Sequence, residues 1–174
     1  MSRTDAQFIP LNIAILTVSD TRTEADDISG KVLVERLEKS GHHLFSRAIV
    51  RDNIYHIRAT VSGWIADDNI NVIISTGGTG VTGRDGTPEA VEPLLDKTLA
   101  GFGEVFRMLS YQEIKTSTIQ SRAIAGVANA TYIFCLPGSS SACATAWDKL
   151  ISEQLDFNTK PCNLVQLMPR LLEK

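Results

Sequence analysis

Long apolar runs are missing from this sequence. No stretch of its 174 residues approaches the roughly 18 consecutive apolar positions of a membrane-crossing helix, so no membrane partner is expected. Basic clusters are missing too. Lys and Arg number 17 against 20 Asp and Glu, the net charge is -3, and no run of Lys or Arg occurs. That balance argues against nucleic acid as the main partner. The three histidines, adjacent His42 and His43 and distant His56, have no metal-ligand spacing. Cys135, Cys143 and Cys162 are odd in number and form no Cys-x-x-Cys pair, which favours reduced thiols and a cytoplasmic location. Residues 1–10 lack the apolar core of a secretory signal. No internal repeat or low-complexity segment is visible. What is present is a 43% hydrophobic chain, enough for a core and against global disorder. At this length a single domain over residues 1–174 is the default.

Apolar, partly β-branched runs at 11–18, 44–50, 70–74 and 131–136 read as strands. Between the first three, residues 29–40 and 54–65 carry apolar positions at helical spacing, with Gly41 closing the first helix and Arg51-Asp52-Asn53 opening the second. This alternation predicts an α/β fold, a mostly parallel sheet with helices on both faces. Further on, a short helix is expected over 88–97, a turn over 101–104 and a helix over 105–114. Residues 116–128 are rich in small side chains, suiting close helix contact, a ligand-facing element or a neighbouring subunit. Ser139 or Ser140 caps a helix running to about 154, and the tail from 158 wraps the surface.

The chain is organised around Ile70 to Glu89. A buried strand breaks into Thr76-Gly77-Gly78-Thr79-Gly80, and Thr87-Pro88-Glu89 then reads as an N-cap, a proline at the first helical position and a first-turn acid. Glycines in line expose backbone N–H groups and let a bulky anion approach, as in many phosphate sites. In such folds ligands bind outside the carboxyl ends of strands, where the glycine loop, Asp20 and Asp52 all fall. Gly78 to Gly83 formally matches G-x-G-x-x-G, but follows the third strand rather than the first and opens no helix directly, so a dinucleotide site is a weak reading. No Gly-Lys-Ser or Gly-Lys-Thr follows, which excludes a Walker loop.

Asp85 is either a turn former in Arg-Asp-Gly or a carboxylate beside a phosphate cradle, joined to it through Mg²⁺. Asp52 has the same two readings, with helix capping as the structural one. Arg84 points to a phosphate or to solvent. Arg122, among small uncharged neighbours, favours a ligand contact, and Ser121 beside it is a ligand donor or a cap. Cys135, within a strand, reads as core rather than nucleophile.

Taken together, Thr76-Gly77-Gly78-Thr79-Gly80, Arg84-Asp85, Thr87-Pro88-Glu89-Ala90, Gly101-Phe102-Gly103-Glu104, Ser121-Arg122 and Pro137-Gly138-Ser139 resemble the MoaB/Mog family of molybdenum cofactor biosynthesis proteins. The resemblance runs from about Ile13 to Leu155, and its second half is most similar to the bacterial MoaB branch. It implies a three-layer α/β/α sandwich, a homotrimer or homohexamer, and other molybdenum cofactor biosynthesis proteins as partners. It implies molybdopterin as ligand, ATP as co-substrate and Mg²⁺ as cofactor, for transfer of AMP to the pterin's terminal phosphate. On this resemblance Asp85 and Asp52 are the catalytic pair, with Asp85 positioning the metal. The glycine loop from Gly77 to Gly80, with Thr76, holds phosphate, and Ser121, Arg122, Pro137, Gly138 and Ser139 line the pterin side. A non-catalytic pterin-binding scaffold oligomer is the alternative on the same fold.

Overall fold

The computed structural model describes residues 8–173, so the reading of residues 1–10 as carrying no secretory core falls mainly outside the described residues. Six strands form one sheet in the order β2-β1-β3-β6-β5-β4. They are β1 (Asn12–Val18), β2 (His43–Val50), β3 (Val72–Thr76), β4 (Lys97–Thr98), β5 (Ile124–Ala128) and β6 (Thr131–Leu136). β1, β2, β3 and β6 run parallel, while β5 is antiparallel to both β6 and β4. β1, β3 and β6 are almost wholly buried, which is why they read as continuous apolar runs rather than alternating ones.

The helices are α1 (Ile28–Lys39), α2 (Ile54–Ile65), α3 (Thr87–Val91), α4 (Ala100–Ile114) and α5 (Ser140–Ala146), the last continuing through a π-turn at Trp147–Ile151 to Gln154. One core, including Leu33, Leu37, Phe106, Trp147 and Ile151, lies on one face of the sheet. A second, including Ile57, Val61, Val91 and Ile133, lies on the other. Helices on both faces, as the alternation predicts, make the three-layer α/β/α sandwich that the resemblance implies. Gly41 stands just beyond α1 at φ +89°, the left-handed residue its helix end requires.

Several local expectations change. The region 88–97 is a five-residue helix, a 3₁₀ turn at Glu92–Leu94 and the edge strand β4, and 101–104 lies inside the first turns of α4. The small-residue segment is not one helix. It is a 3₁₀ turn at Lys115–Gln120, exposed but for Thr118, followed by β5, buried within the sheet. Its hairpin to β6 turns at Asn129 and Ala130, both at positive φ (45° and 63°), the backbone of a tight primed turn. The small side chains admit close neighbours: a Cβ on Gly126 would stand 2.6 Å from the Lys97 carbonyl oxygen, and one on Gly103 of α4 would stand 2.6 Å from that of Ala123. The tail does more than wrap the surface. Val165 and Asn163 are buried, and the Tyr132 hydroxyl donates to the Leu164 carbonyl at 2.8 Å.

His42 is buried between Phe8 and Trp147, with ring centroids 5.0 Å and 6.2 Å away, and its Nδ1 accepts the Leu11 N–H at 3.2 Å. Burial pushes its pKa down from 6.5 to about 4. As pH falls, the unfolded chain therefore binds this proton first. The stability carried by neutral His42 is full above about pH 6.5 and is lost between there and about pH 4, a total of roughly 3 kcal/mol. Urea midpoints from pH 7 to 4.5 should drop more steeply for the native chain than for His42→Phe. Equal slopes would remove His42 from the acid sensitivity.

Candidate functional site

The strand order reverses direction at β1: α1 carries the chain to β2 on one side, and α2 returns it to β3 on the other. The crevice at such a switch point lies beyond the carboxyl ends of the strands. A cleft of about 570 Å³ opens there, walled by Ser19 to Arg22 after β1, Gly77 to Gly80 with Asp85 after β3, and Pro137 to Ser139 after β6. Asp52 reaches it from the end of β2. Ser110, Ile114, Ser117, Gln120 and Ser121 reach it from α4 and the turn that follows.

Two of the glycines are demanded by the backbone itself. Gly77 and Gly78 hold φ of +101° and +67°, and a Cβ on Gly77 would lie 2.2 Å from the Val18 carbonyl oxygen. The Gly77 N–H donates to the Leu136 carbonyl at 3.0 Å, so it is not part of an open row of amides. The N–H groups of Gly78 and Thr79 meet no acceptor among the described residues. Thr87 does not act as an N-cap, a position taken by Gly86. Its hydroxyl instead donates to the Gly77 carbonyl at 2.8 Å, and its N–H donates to that of Gly78 at 2.9 Å.

Three carboxylates gather at this loop. Asn53, not Asp52, caps α2, accepting from the N–H groups of Tyr55 and His56. Asp52 is thereby free to accept the Gly86 N–H at 3.0 Å. Burial first, then the like charges of Asp85 and Asp20, push its carboxyl up despite that hydrogen bond. Asp85 is the turn former of Arg-Asp-Gly and faces the cleft. One carboxylate oxygen accepts from the Thr82 N–H and hydroxyl at 2.8 and 2.7 Å, closing a turn, and the residue also lines the cleft. The Thr82 hydroxyl is the first cause holding the Asp85 carboxyl below its usual range, so it is charged at neutral pH. Asp20 is paired with Arg84 at 2.6 Å across the cleft mouth.

The family profile described as a probable molybdopterin binding domain matches residues 14–156. Molybdenum cofactor biosynthesis protein B of Escherichia coli (strain K12) is 57% identical over 163 residues, 94% of this chain and 96% of that protein. The chain belongs to the MoaB/Mog family. A crystal structure of a molybdenum cofactor biosynthesis protein B superposes with a TM-score of 0.82 at 44% identity, covering 84% of this chain and 92% of its own. A tungsten cofactor synthesizing MoaB from Pyrococcus furiosus superposes at 0.75 with 37% identity, covering 83% and 92%.

Of the residues that the MoaB/Mog motifs single out, the fold brings Asp52, Asp85, Gly77, Gly78, Thr79, Gly80, Ser121, Pro137, Gly138 and Ser139 onto the one cleft. Two lie apart from it. Thr76 is buried beneath, its hydroxyl donating to the Pro137 carbonyl at 2.9 Å and lying 3.2 Å from the Cys143 sulfur. Arg122 braces the loop from behind, donating to the carbonyls of Gly80 (2.6 Å) and Asp85 (2.7 Å) and pairing with Glu89. It shapes the cradle rather than lining it. Cys135 and Cys143 are buried, and burial pushes their thiols up to about 12 and about 11, as core rather than nucleophilic groups. Sequence reasoning missed Arg22 and the α4 lining. Arg22 gave no signal beyond being a cation in the polar loop after β1. The α4 residues gave none, because their approach depends on how that helix crosses the sheet.

Proposed function

We propose that this chain binds molybdopterin in the switch-point cleft and transfers AMP to its terminal phosphate from ATP. The observation that carries the reading is the meeting of Asp52, Asp85 and the unengaged amides of Gly78 and Thr79 on one cleft. In the reaction an oxygen of the pterin phosphate attacks the α-phosphorus of ATP. A phosphoanhydride bond forms, the bond to the β-phosphate oxygen breaks, and pyrophosphate leaves. Little covalent help is needed, because alignment and charge neutralisation supply most of the acceleration in such transfers.

Mg²⁺ takes one or two carboxylates, which Asp52 and Asp85 on one cleft could supply, and completes its shell with phosphates and water. Burial, and after it the like charges of Asp85 and Asp20, raise the Asp52 carboxyl, and an incoming cation would offset both. Asp85 and Asp52 would hold it, and bound there it would neutralise charge on the reacting phosphates. The chain's own part is to fix the acceptor phosphate on the loop amides and to hold the loop rigid through Arg122 and Thr87. Incubation with molybdopterin, ATP and Mg²⁺ should give adenylyl-molybdopterin and pyrophosphate in equal amounts. Bound pterin with no product above an enzyme-free control would leave the scaffold reading, a pterin-binding oligomer of the same pathway.

Self-association as a trimer, or two trimers, belongs to this proposal, together with contacts to other proteins of cofactor assembly. The surface that suggests it is α4 with the turn that follows it. Val105, Met108, Tyr111 and Ile114 on that helix, and Ile119 just beyond it, are exposed large apolar side chains. Sedimentation should show a species at least three times 19.0 kDa, and Met108→Asp should shift it toward the single chain. A single-chain species for the native protein would refute it.

A further inference from the structure

The cleft holds three acids, yet the ligand class proposed for it is anionic. Of the cations nearby, Arg84 is paired with Asp20, and Arg122 is engaged with loop carbonyls and Glu89. Arg22 differs from both. It lines the cleft and is one-third exposed, its guanidinium donating to the Ser29 hydroxyl and, at 3.1 Å, to the Gly138 carbonyl. Its backbone N–H is held by the Ser19 hydroxyl at 3.1 Å. The nearest carboxylate, that of fully buried Asp27, is 3.7 Å away and already committed. Asp27 takes Arg47 at 2.7 Å, the Thr17 hydroxyl at 2.7 Å and the Gly30 N–H at 3.0 Å. Exposed Asp26 is turned onto the Thr23 N–H and hydroxyl.

Two guanidinium groups therefore share one buried carboxylate, and the cluster keeps one positive charge in excess. Arg47 is the partner closer to that carboxylate, so the excess falls on Arg22, at the cleft wall. A guanidinium has five N–H donors in a planar fork, and two hydrogen bonds to protein leave some for a ligand. We infer that Arg22 recognises a phosphate group of the ligand, with Asp27 and Arg47 as positioning residues that hold its guanidinium at the wall. This rests on the cleft being the ligand site, and it names the chemistry that the cleft reads there. A phosphate matches the fork in charge and in bidentate geometry.

The test is anaerobic titration calorimetry on native protein, Arg22→Ala and Arg22→Lys, with melting temperatures recorded alongside. The titrants are molybdopterin, its dephosphorylated form, ATP and inorganic pyrophosphate. Arg22→Ala should weaken pyrophosphate binding about 10- to 100-fold, and Arg22→Lys should restore part of it. An equal loss confined to molybdopterin, with the dephosphorylated pterin unchanged, assigns the contact to the pterin phosphate. A loss confined to ATP assigns it to the nucleotide. Pyrophosphate binding within twofold of native in a folded Arg22→Ala protein overturns the inference, as does a native protein that binds no pyrophosphate. If native protein binds pyrophosphate through Arg22 but neither molybdopterin nor ATP, the proposed function falls and the phosphate contact stands.

Discussion

Asp85→Asn should abolish most of the proposed adenylyl transfer, lowering the rate about 10²- to 10³-fold with little change in stability. The reason lies in what the substitution keeps. The side-chain oxygen that accepts from the Thr82 N–H and hydroxyl is retained, so the turn closes as before. What disappears is a full negative charge at the cleft, held ionised at neutral pH by those same donors. That charge would hold the cation on the transferring phosphoryl group, and preorganised positive charge there contributes on that scale. Pyrophosphate release, measured together with the melting temperature, separates the cases. Native-like turnover would take Asp85 out of the chemistry, whereas a lowered melting temperature would show that it mainly closes the turn. Asp52→Asn serves as a companion, because the Gly86 N–H can keep its acceptor. It too should lose activity while staying folded.

The largest stability effect is expected at Asp27, which lies behind the cleft wall. Asp27→Ala removes a fully buried carboxylate that receives the partly exposed Arg47, the Thr17 hydroxyl and the Gly30 N–H. Truncating one partner of a buried pair leaves the other charge without compensation, at about 3–5 kcal/mol. For a chain of this size that lowers the melting temperature by roughly 10 °C. Burial alone would raise the Asp27 carboxyl, but Arg47 first, with the Gly30 and Thr17 donors, brings it below the usual range. The contribution is therefore present at neutral pH and is lost only as pH falls through that lowered value. Asp148→Ala is the contrast. Its bidentate pair with Arg36 is half exposed, and its removal should cost less than about 1 kcal/mol. Equal losses for the two variants would show that burial does not set the value of these pairs.

Periodicity and local turn chemistry settled much of this protein before any contact was known. Unbroken apolar runs gave β1, β3 and β6, because central parallel strands bury both faces and need no alternation. Gly41, the segment Arg51-Asp52-Asn53 and the pair Ser139-Ser140 marked helix ends, since a cap is satisfied within three or four residues of itself. The glycine loop and Asp85 were legible for the same reason. β5 was not, because its small residues form a strand only where Leu95, Lys97 and α4 press against them. Asp52 could not be separated from a helix cap until Asn53 was seen in that role and Gly86 arrived from 34 residues away. Thr76 and Arg122 carry family motifs yet stand behind the cleft, a matter of which way β3 and the segment before β5 face. Arg22 became a site residue only when Asp27, Arg47 and Gly138 closed around it. Local sequence specifies what short-range hydrogen bonds and side-chain alternation can satisfy, whereas charge balance at a cleft depends on groups that only the packed sheet brings together.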